Sequence, residues 1–468
     1  MPLGILDLVI LWALEFETWD LLANLFDGVP VSDSLGRHGC FLSARERIRH
    51  TATMSDPLAD ITAPWLRRFR QSLKRWHAQH GRDLPWRNCR DPYKVWISEI
   101  MLQQTTVVAV KPYYERFLEP FQDVATLAAA NEEEVLRLWE GLGYYSRARN
   151  LHRAARAIVE RGGAFPETVE ELLQLPGIGR YTAGAIVSFA FDRPAPIVEA
   201  NTLRLYSRLL GYRDDPRSTV GQRLLWSFAE KLVPTKAAGE FNQALTDLGA
   251  TVCTPTDPRC DDCPVAACCR ALAEQTQAEI PQAARRPEIT SLHEASIAIE
   301  SRGKFLLIRR PEGARWAGLW DFPRFDLPPL RRHHAPRDEP VASTDSPSKS
   351  KRSKSNRRRE ATGSSRGAMT ATYPSAAPRS DLAQLEQRLI TDFGIAVKFT
   401  ERLTQLKHSV TRYRITLDCW HAECDDSREV TTELVSAWVA PADFEQYPLS
   451  VTGRKLADLI VRKIDGGA

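Results

Sequence analysis

The sequence predicts an all-α domain followed by a smaller α/β domain. Apolar residues recur at helical spacing from about Pro64 to Glu274, whereas strand-like alternation begins beyond Ile289. Five of the nine cysteines fall between Cys253 and Cys269, at the end of the helical part. At 468 residues the chain is too long for one ordinary core, so two domains are expected.

The domain limits are inferred from changes in composition along the chain. We expect an N-terminal extension over residues 1–55, the all-α domain over 56–282 and the α/β domain over 283–468. Because the extension fits poorly with the helical sequence after it, Met54 is a candidate for the true first residue. Residues 331–380 are rich in Ser, Pro, Arg and Lys, which predicts a disordered insertion in the second domain.

Charge and apolar content limit the function classes. The insertion holds twelve Lys and Arg against four Asp and Glu, so its surplus of +8 leaves the rest of the chain near −4 within the net +4. Global charge therefore gives no argument for DNA binding. No apolar run reaches the length of a membrane span, and we expect a soluble, cytoplasmic protein of bacterial type, associated with the nucleoid, with no membrane partner.

Three helix starts in the first domain are indicated by capping residues. Asp91 precedes a proline, which predicts a helix that continues to about Val110. Asn131 precedes three glutamates, which are favourable in a first helical turn. A third helix is expected over 168–175, ended by Pro176 and Gly177.

In the second domain, alternating and β-branched segments predict strands. Arg302 and Gly303 lie in a turn between the first two segments, and Gly394 is a typical residue after a helix C-terminus. The predicted strands cover 295–300, 304–310, 412–420 and 434–439, and the predicted helix covers 381–393.

Four cysteines have the spacing of a metal site: Cys253-x6-Cys260-x2-Cys263-x5-Cys269. Four thiolates in one short loop can bind a single zinc ion or a cubane iron–sulfur cluster, and the number of ligands does not distinguish these metals. Cys268 is left out of the site because adjacent residues cannot easily serve one centre together. The odd, clustered set indicates a metal site in a reducing compartment, not a disulfide framework.

A glycine-containing turn comes after the third predicted helix, in the segment 175–184, Leu-Pro-Gly-Ile-Gly-Arg-Tyr-Thr-Ala-Gly. Gly177 and Gly179 allow a tight hairpin whose backbone amides, with the next helix N-terminus, can bind a phosphate without reading sequence. A plain helix–helix turn is the alternative. The flanking helices and the cysteines downstream favour a DNA-binding helix-hairpin-helix.

Glu99 is the candidate general acid. It lies next to Trp96, Ile100 and Leu102 in a largely apolar helical segment. Because burial disfavours the charged form of a carboxyl, the pKa of Glu99 is expected to rise. Gln103, one turn further on, is expected on the same helix face.

These motifs together resemble the adenine DNA glycosylases of the MutY family. The resemblance rests on Ser98–Thr105, Gly141–Asn150, the hairpin and the cysteine loop, and it covers roughly residues 64–330 and 381–465. It implies a helix-hairpin-helix glycosylase domain of the endonuclease III-like type, with an iron–sulfur loop, followed by a Nudix-like domain. The 6-2-5 cysteine spacing implies a [4Fe-4S] cluster on Cys253, Cys260, Cys263 and Cys269, with zinc as the rival. The implied partner is double-stranded DNA in which adenine is mispaired with 8-oxoguanine or guanine, and we expect a monomer.

The resemblance also implies roles for single residues in base excision. Glu99 is expected to protonate N7 of a flipped adenine. The family's second carboxylate is an aspartate in Val-Asp-Gly-Asn, but this chain has Val-Glu-Ala-Asn at 198–201, so Glu199 carries one more methylene. Asn201 is expected to orient that site. Tyr181 stands where bifunctional relatives carry a lysine, which implies base excision without strand cleavage.

Further residues are expected to contact DNA. Gln104 and Tyr144 match positions that enter the base stack, and Arg87, Gln103, Gly177 and Gly179 are expected around them. The lesion-reading Phe-Ser-His of the family is replaced by Val410-Thr411-Arg412, where Thr411 and Arg412 can still hydrogen-bond an oxidised guanine. The Nudix-like helix keeps few acids, so hydrolase activity of that domain is not expected.

Two other functions remain open from the sequence. A mismatch glycosylase with a different base choice is compatible with Tyr181. A non-catalytic lesion-binding protein is suggested by the altered Glu199 and by Val410-Thr411-Arg412.

Overall fold

The computed structural model describes residues 57–87, 89–284, 288–329, 379–424 and 430–466. The predicted extension over 1–55 and nearly all of the predicted insertion over 331–380 lie outside these residues. Two compact units divide between Arg285 and Arg286. Across the described residues, every helix is too short or too polar to traverse a bilayer.

The first unit consists of α-helices joined by short loops, as the all-α prediction requires. The helices are α1 (Ala63–His80), α2 (Pro92–Leu102), α3 (Val107–Leu118), α4 (Val124–Ala129), α5 (Glu132–Trp139), α6 (Ser146–Glu160), α7 (Val169–Leu172), α8 (Arg180–Phe191), α9 (Ala200–Leu210), α10 (Thr219–Leu232), α11 (Ala238–Thr251) and α12 (Arg270–Ala273). Short 3₁₀ helices cover Cys260–Asp262 and Ala266–Cys268.

The predicted helix starts are confirmed, but one predicted helix is two. Asp91 caps α2 by accepting a hydrogen bond from the amide of Tyr93, and Asn131 forms a capping box with Glu134. The helix expected to continue to Val110 instead ends at Leu102. Thr106 then caps α3, since its hydroxyl accepts from the amide of Ala109. The apolar spacing continues across the break, and for this reason the pattern alone did not reveal it.

One hydrophobic core cluster of the first unit is formed by the inward faces of α1, α9, α10 and α11. The central side chains are fully or almost fully buried, among them Phe69, Leu73, Tyr206, Phe228 and Leu248. The cysteine loop packs on the same cluster through Val265 and Cys253. α9 therefore joins the hydrophobic core to the cysteine loop.

The second unit is a mixed β-sheet with helices on both faces, which confirms the predicted α/β class. Its elements are β1 (Thr290–Ser301), β2 (Lys304–Arg309), β3 (Trp320–Asp321), β4 (Arg324–Asp326), α13 (Arg379–Phe393), β5 (Lys398–Val410), β6 (Tyr413–Glu423), β7 (Ser436–Val439) and α14 (Val451–Asp465). The strand order is β3-β2-β1-β6-β5, with β4 paired to β1 and β7 paired to β2. β1 and β6 are parallel, and the other pairs are antiparallel.

Alternation along the strands produces two cores in this unit. Ile297 and Ile299 of β1 lie in one cluster with Leu389 of α13. Ala298, between them, lies in the other cluster with Leu456 of α14. Because successive strand residues point to opposite faces, one apolar strand supplies both cores.

Candidate active site

α2 places Glu99 inside the first unit. All residues of this helix from Val95 to Met101 are buried, and Glu99 itself is 6% exposed. Burial raises the pKa of Glu99, as expected from its apolar neighbours. A hydrogen bond from Tyr181 and the positive charge of Arg87 oppose this rise, whereas the charge of Glu199 adds to it.

Tyr181 lies in the first turn of α8 and faces Glu99. Its phenol donates a hydrogen bond to Oε2 of Glu99 over 2.7 Å. Burial, together with the negative charges of Glu99 and Glu199, raises the pKa of Tyr181 far above its ordinary range. The phenol therefore keeps its proton and remains a donor.

Glu199 is the N-cap of α9. Its Oε2 accepts from the amide of Asn201 at 2.8 Å and its Oε1 accepts from the amide of Thr202 at 2.9 Å. Thr202 returns a contact, since its hydroxyl accepts from the amide of Glu199 at 2.8 Å. Burial raises the pKa of Glu199, and the two amides lower it. The longer side chain is thus folded back onto its own helix and does not extend away from it.

Asn201 is connected to the cysteine loop through Arg204. Its Oδ1 accepts from Nη2 of Arg204 at 3.0 Å, and Nε of Arg204 donates to the carbonyl of Cys253 at 2.7 Å. A further bond joins Arg204 to the carbonyl of Gly249 at 2.7 Å. Gly249 has no room for a side chain, because a Cβ there would lie 2.9 Å from Cβ of Asn201.

A buried carboxylate that the sequence motifs did not indicate interacts with the same Arg87 as Glu99 does. Asp247 of α11 is fully buried and binds three basic side chains from the chain segment before α2. Nε of Arg82 donates to it at 2.7 Å, Nη2 of Arg87 at 3.0 Å, and His77 lies at 3.3 Å. An acid among the apolar residues in the second half of helix Ala238–Thr251 was the available signal.

The structure places Arg87 inside this cluster and not on an open surface. Its side chain is 11% exposed and its Nη2 is engaged with Asp247. Nη1 is buried and has no hydrogen-bond partner among the described residues. Its positive charge acts on Glu99 and Tyr181. If Arg87 contacts DNA as expected, it can therefore do so only through a part of the DNA, such as a base, that enters the site.

The hairpin lies between α7 and α8, as predicted. Gly177 has a φ of +74°, and a Cβ there would lie 2.6 Å from Cβ of Asn150 on α6. This position therefore requires glycine for both its conformation and its packing. Gly179 is the N-cap of α8 and has no side chain with which to cap the helix. The first amides of α8 are consequently left to external acceptors.

Two exposed residues flank the carboxylate site on neighbouring loops. Gln104 follows α2 and has a φ of +54°, and Tyr144 precedes α6 with a φ of +47° and 44% exposure. Gln103 is the C-cap of α2, one turn after Glu99. Its amide nitrogen lies 3.4 Å from the hydroxyl of Thr182 on α8, next to the Tyr181 that contacts Glu99.

The four cysteines of the predicted metal site line one pocket. Cys253, Cys260, Cys263 and Cys269 surround it with Leu205, Arg208 and Val265, and Cys268 is not part of the lining. Nη1 of Arg208 lies 3.3 Å from Sγ of Cys253. Burial raises the pKa of the Cys263 thiol to about 12, and the neighbouring thiols add to the rise. Among the described residues, no three Cys, His, Asp or Glu side chains are arranged to hold one metal ion.

In the second unit, Thr411 and Arg412 form the tip of the β5–β6 hairpin. Both are exposed, and Thr411 has a φ of +50°. Nη2 of Arg412 donates to the hydroxyl of Tyr413 at 3.2 Å.

Comparison with known proteins identifies the family. The model of the HhH-GPD superfamily of base excision DNA repair proteins matches residues 97–231. An adenine DNA glycosylase of Buchnera aphidicola is 37% identical over 263 residues, which cover 55% of this chain and 75% of that protein. The chain belongs to the adenine DNA glycosylase family. The mouse adenine DNA glycosylase is 39% identical over 329 residues, covering 59% of this chain and 63% of the mouse protein. A thermostable thymine-DNA glycosylase of known structure matches with 31% identity and a TM-score of 0.43, over 46% of this chain and 100% of its own.

The HhH-GPD model matches only part of this adenine DNA glycosylase family member. The segment 97–231 includes Glu99, Tyr181 and Glu199, and it ends before the four cysteines and the second unit. The chain spans about three fifths of the length of the mammalian relatives that it matches.

Proposed function

We propose that this protein hydrolyses the N-glycosidic bond of adenine in double-stranded DNA. One observation carries the proposal: Glu99 is a buried carboxyl with a raised pKa, bonded to a phenol and near a second carboxylate. An acid-assisted departure through an oxocarbenium-like state requires one protonated and one charged carboxyl. Burial raises the pKa of both groups here, and two backbone amides favour the charged form of Glu199.

The chemistry begins with a base that leaves the duplex. Adenine within a duplex cannot reach a buried acid, so it must be flipped out at a cost of about a few kcal/mol. Glu99 then protonates N7, which makes the base a better leaving group. Nη1 of Arg87 has no hydrogen-bond partner among the described residues, and we assign it as a donor to the base. The negative charge of Glu199 stabilises the developing positive charge on the sugar before water attacks.

The site is suited to base excision alone. A coupled strand cleavage needs an amine that attacks the sugar and forms a Schiff base. At the corresponding place this chain has Tyr181, whose phenol keeps its proton and is committed to Glu99. We therefore assign monofunctional activity.

The DNA surface is assigned to the hairpin and the two loops beside the site. The hairpin and the uncapped N-terminus of α8 bind a phosphate. Gln104 and Tyr144 enter the base stack. Thr411 and Arg412 hydrogen-bond the base opposite adenine, which is 8-oxoguanine or guanine. The tip of the β5–β6 hairpin has Val410-Thr411-Arg412 in place of Phe-Ser-His and so lacks that aromatic residue. We therefore expect a weaker preference for 8-oxoguanine over guanine.

The four cysteines are assigned to a [4Fe-4S] cluster. All four line one pocket and come from one short stretch, Cys253-x6-Cys260-x2-Cys263-x5-Cys269. Four thiolates can hold either a cubane cluster or zinc. The 6-2-5 spacing, which the family resemblance associates with [4Fe-4S], favours the cluster. When bound, the cluster cross-links the loop to the end of α11 and supports the fold.

The test is incubation of the purified protein with duplexes that each contain one adenine:8-oxoguanine, adenine:guanine or thymine:guanine pair. Abasic sites are then cleaved with alkali. Strand breaks that occur at adenine alone, and that appear only after alkali treatment, support the proposal. Glu99→Gln should reduce them by about 10²- to 10⁴-fold. Breaks at thymine would favour a glycosylase with another base choice. Tight binding without any product would favour a lesion-binding protein.

A further inference from the structure

Arg147 is a buried cation in the first turn of α6. It is 8% exposed, and burial lowers the pKa of its guanidinium to about 10, so it remains charged at neutral pH. Its guanidinium lies 5.4 Å from the ring centres of both Trp139 and Tyr144. Burial of a charge is unfavourable unless its donors are satisfied, so the oxygen atoms it binds define its role.

All six described hydrogen bonds of this guanidinium end on two segments, the last turn of α2 with the loop after it and the loop before α6. The acceptors are the carbonyls of Ile100 (2.8 Å), Met101 (2.9 Å), Gln103 (2.6 Å), Leu142 (3.4 Å) and Gly143 (3.2 Å) and the hydroxyl of Thr105 (3.2 Å). The cation therefore joins the C-terminal end of α2, where the helix dipole favours positive charge, to the loop that leads into α6.

Each of the two loops carries one exposed residue in a left-handed conformation. Gln104 lies between two of the bonded residues on the first loop, and Tyr144 is adjacent to a bonded residue on the second. Such a backbone is unfavourable for residues with side chains and persists only where the surroundings hold it. Other bonds support one loop each, such as that from Nε1 of Trp139 to the carbonyl of Gly143 and that from Gln103 to the hydroxyl of Thr182, whereas Arg147 bonds to both loops.

We propose that Arg147 is a positioning residue that locks the loops of Gln104 and Tyr144 into one rigid wedge. The inference deepens the proposed function and rests on it only in taking DNA as the partner that the wedge enters. A planar guanidinium with five donors can bind both loops at once, whereas a lysine ammonium is a single point on a flexible stem. Arg147→Lys therefore keeps the charge and removes the bridge.

Arg70 of α1 offers a matched control. It too is partly buried and donates only to backbone carbonyls in its described bonds, those of Lys231, Leu232 and Val233 at the end of α10. These acceptors lie in a different part of the sequence from both loops. Arg70→Lys should thus remove a comparable set of bonds from an arginine to backbone carbonyls, without any effect on the loops of Gln104 and Tyr144.

The first measurement is amide hydrogen exchange in the free protein. We expect Arg147→Lys to speed exchange by about tenfold or more in residues 102–106 and 141–145, and Arg70→Lys to leave both segments unchanged. Equal exchange in Arg147→Lys and the unmodified protein would overturn the proposal. Thermal unfolding checks that each variant folds, and Arg147→Gln is the second variant if the lysine variant does not.

The second measurement is the affinity for a duplex with one adenine:8-oxoguanine pair, made in the Glu99→Gln background so that the duplex is not consumed. We expect Arg147→Lys to raise Kd by about tenfold or more, and to have little further effect once Gln104 and Tyr144 are both alanine. Full additivity of these changes would contradict the wedge. If the unmodified protein neither binds nor excises, the proposed function fails, and the exchange result still decides the role of Arg147.

Discussion

The phenol of Tyr181 donates a 2.7 Å hydrogen bond to Oε2 of Glu99, and this bond counteracts the burial of the same carboxyl. Burial raises the pKa of Glu99, while the hydrogen bond and Arg87 lower it. The protonation of the proposed acid is therefore the balance of a large desolvation effect and two specific partners. Each partner can be removed separately.

Tyr181→Phe should move the pH profile of adenine excision to higher pH. The hydrogen bond favours the charged carboxylate, so its loss raises the pKa of Glu99 further. An acid that must be protonated works below its pKa and fails as the pH rises through it, and the alkaline fall of the rate therefore shifts upward. Single-turnover rates at saturating duplex, measured from about pH 5 to about pH 9, check this. A profile displaced to lower pH would contradict the assignment of Glu99 as the acid.

Asp247→Asn should move the same profile in the opposite direction. Asp247 neutralises the charge of Arg87, whose Nη2 it binds at 3.0 Å. With that neutralisation lost, Arg87 acts more strongly on Glu99 and lowers its pKa, so the rate falls at a lower pH than in the unmodified protein. Tyr181→Phe and Asp247→Asn control for each other. One change removes a hydrogen-bond donor from Glu99, and the other leaves the charge of Arg87 without its counter-ion, so the two shifts in the pKa of Glu99 are opposite. Shifts of the same sign in both variants would rule out this electrostatic scheme.

Asp247 should also make the stability of the first unit depend on acid pH. Burial alone would raise its pKa, but the hydrogen bond from His77 and the charges of Arg87 and Arg82 lower it to about 2 from the ordinary 3.8. This contribution is fully present above pH 3.8 and is lost as the pH falls toward 2; it amounts to about 2 kcal/mol. In denaturant titrations, Asp247→Asn should lose about 3–5 kcal/mol at pH 7 and proportionally less near pH 3. A constant difference across this range would show that the carboxylate charge is not the cause.

The order of domains and most elements were predictable from the sequence because they depend on local signals. Asp91 and Asn131 mark helix starts through their own side chains, and Gly394 ends α13 with a φ of +70°. The break after Leu102 was not predictable, since it involves a left-handed Gln104 next to the Gln103 carbonyl, which Arg147 binds from 44 residues away. β5 and α14 were also missed, because their burial depends on partners in the sheet.

The candidate site was predictable only where a single residue carried the signal. Glu99 was indicated by its apolar helix together with the family pattern around it, and Tyr181 was recognised by resemblance. Asp247 also lies among apolar residues but is 148 residues distant from Glu99, and nothing local associates it with Arg87. Long-range pairs such as this one require the fold.

Cys269→Ser and the adjacent Cys268→Ser should behave differently. Cys269 lines the pocket together with the other three cysteines, whereas Cys268 does not. We expect Cys269→Ser to lose the brown colour and most of the bound iron, because one of four thiolate ligands is removed. Cys268→Ser should keep both and serves as the control. Visible absorbance and iron analysis measure the result, and equal losses in the two variants would contradict the ligand set. Zinc without iron in the purified protein would contradict the cluster itself.

The contribution of Glu199 to the rate of adenine excision should depend on its charge more than on the length of its side chain. The extra methylene is absorbed because the carboxylate folds back onto the amides of Asn201 and Thr202, so aspartate, which is also a favourable N-cap, can bind the same amides. We expect Glu199→Asp to change the single-turnover rate of adenine excision by less than about tenfold and to leave the unfolding free energy within about 0.5 kcal/mol. Glu199→Gln keeps the shape but removes the negative charge, and its rate should fall by about 10²-fold or more. Duplex affinity should be nearly unchanged in both variants, because the charge acts on the developing cation and not on the bound duplex. If Glu199→Asp instead raised the rate strongly, the carboxylate of Glu199 would be misplaced for catalysis despite its contacts.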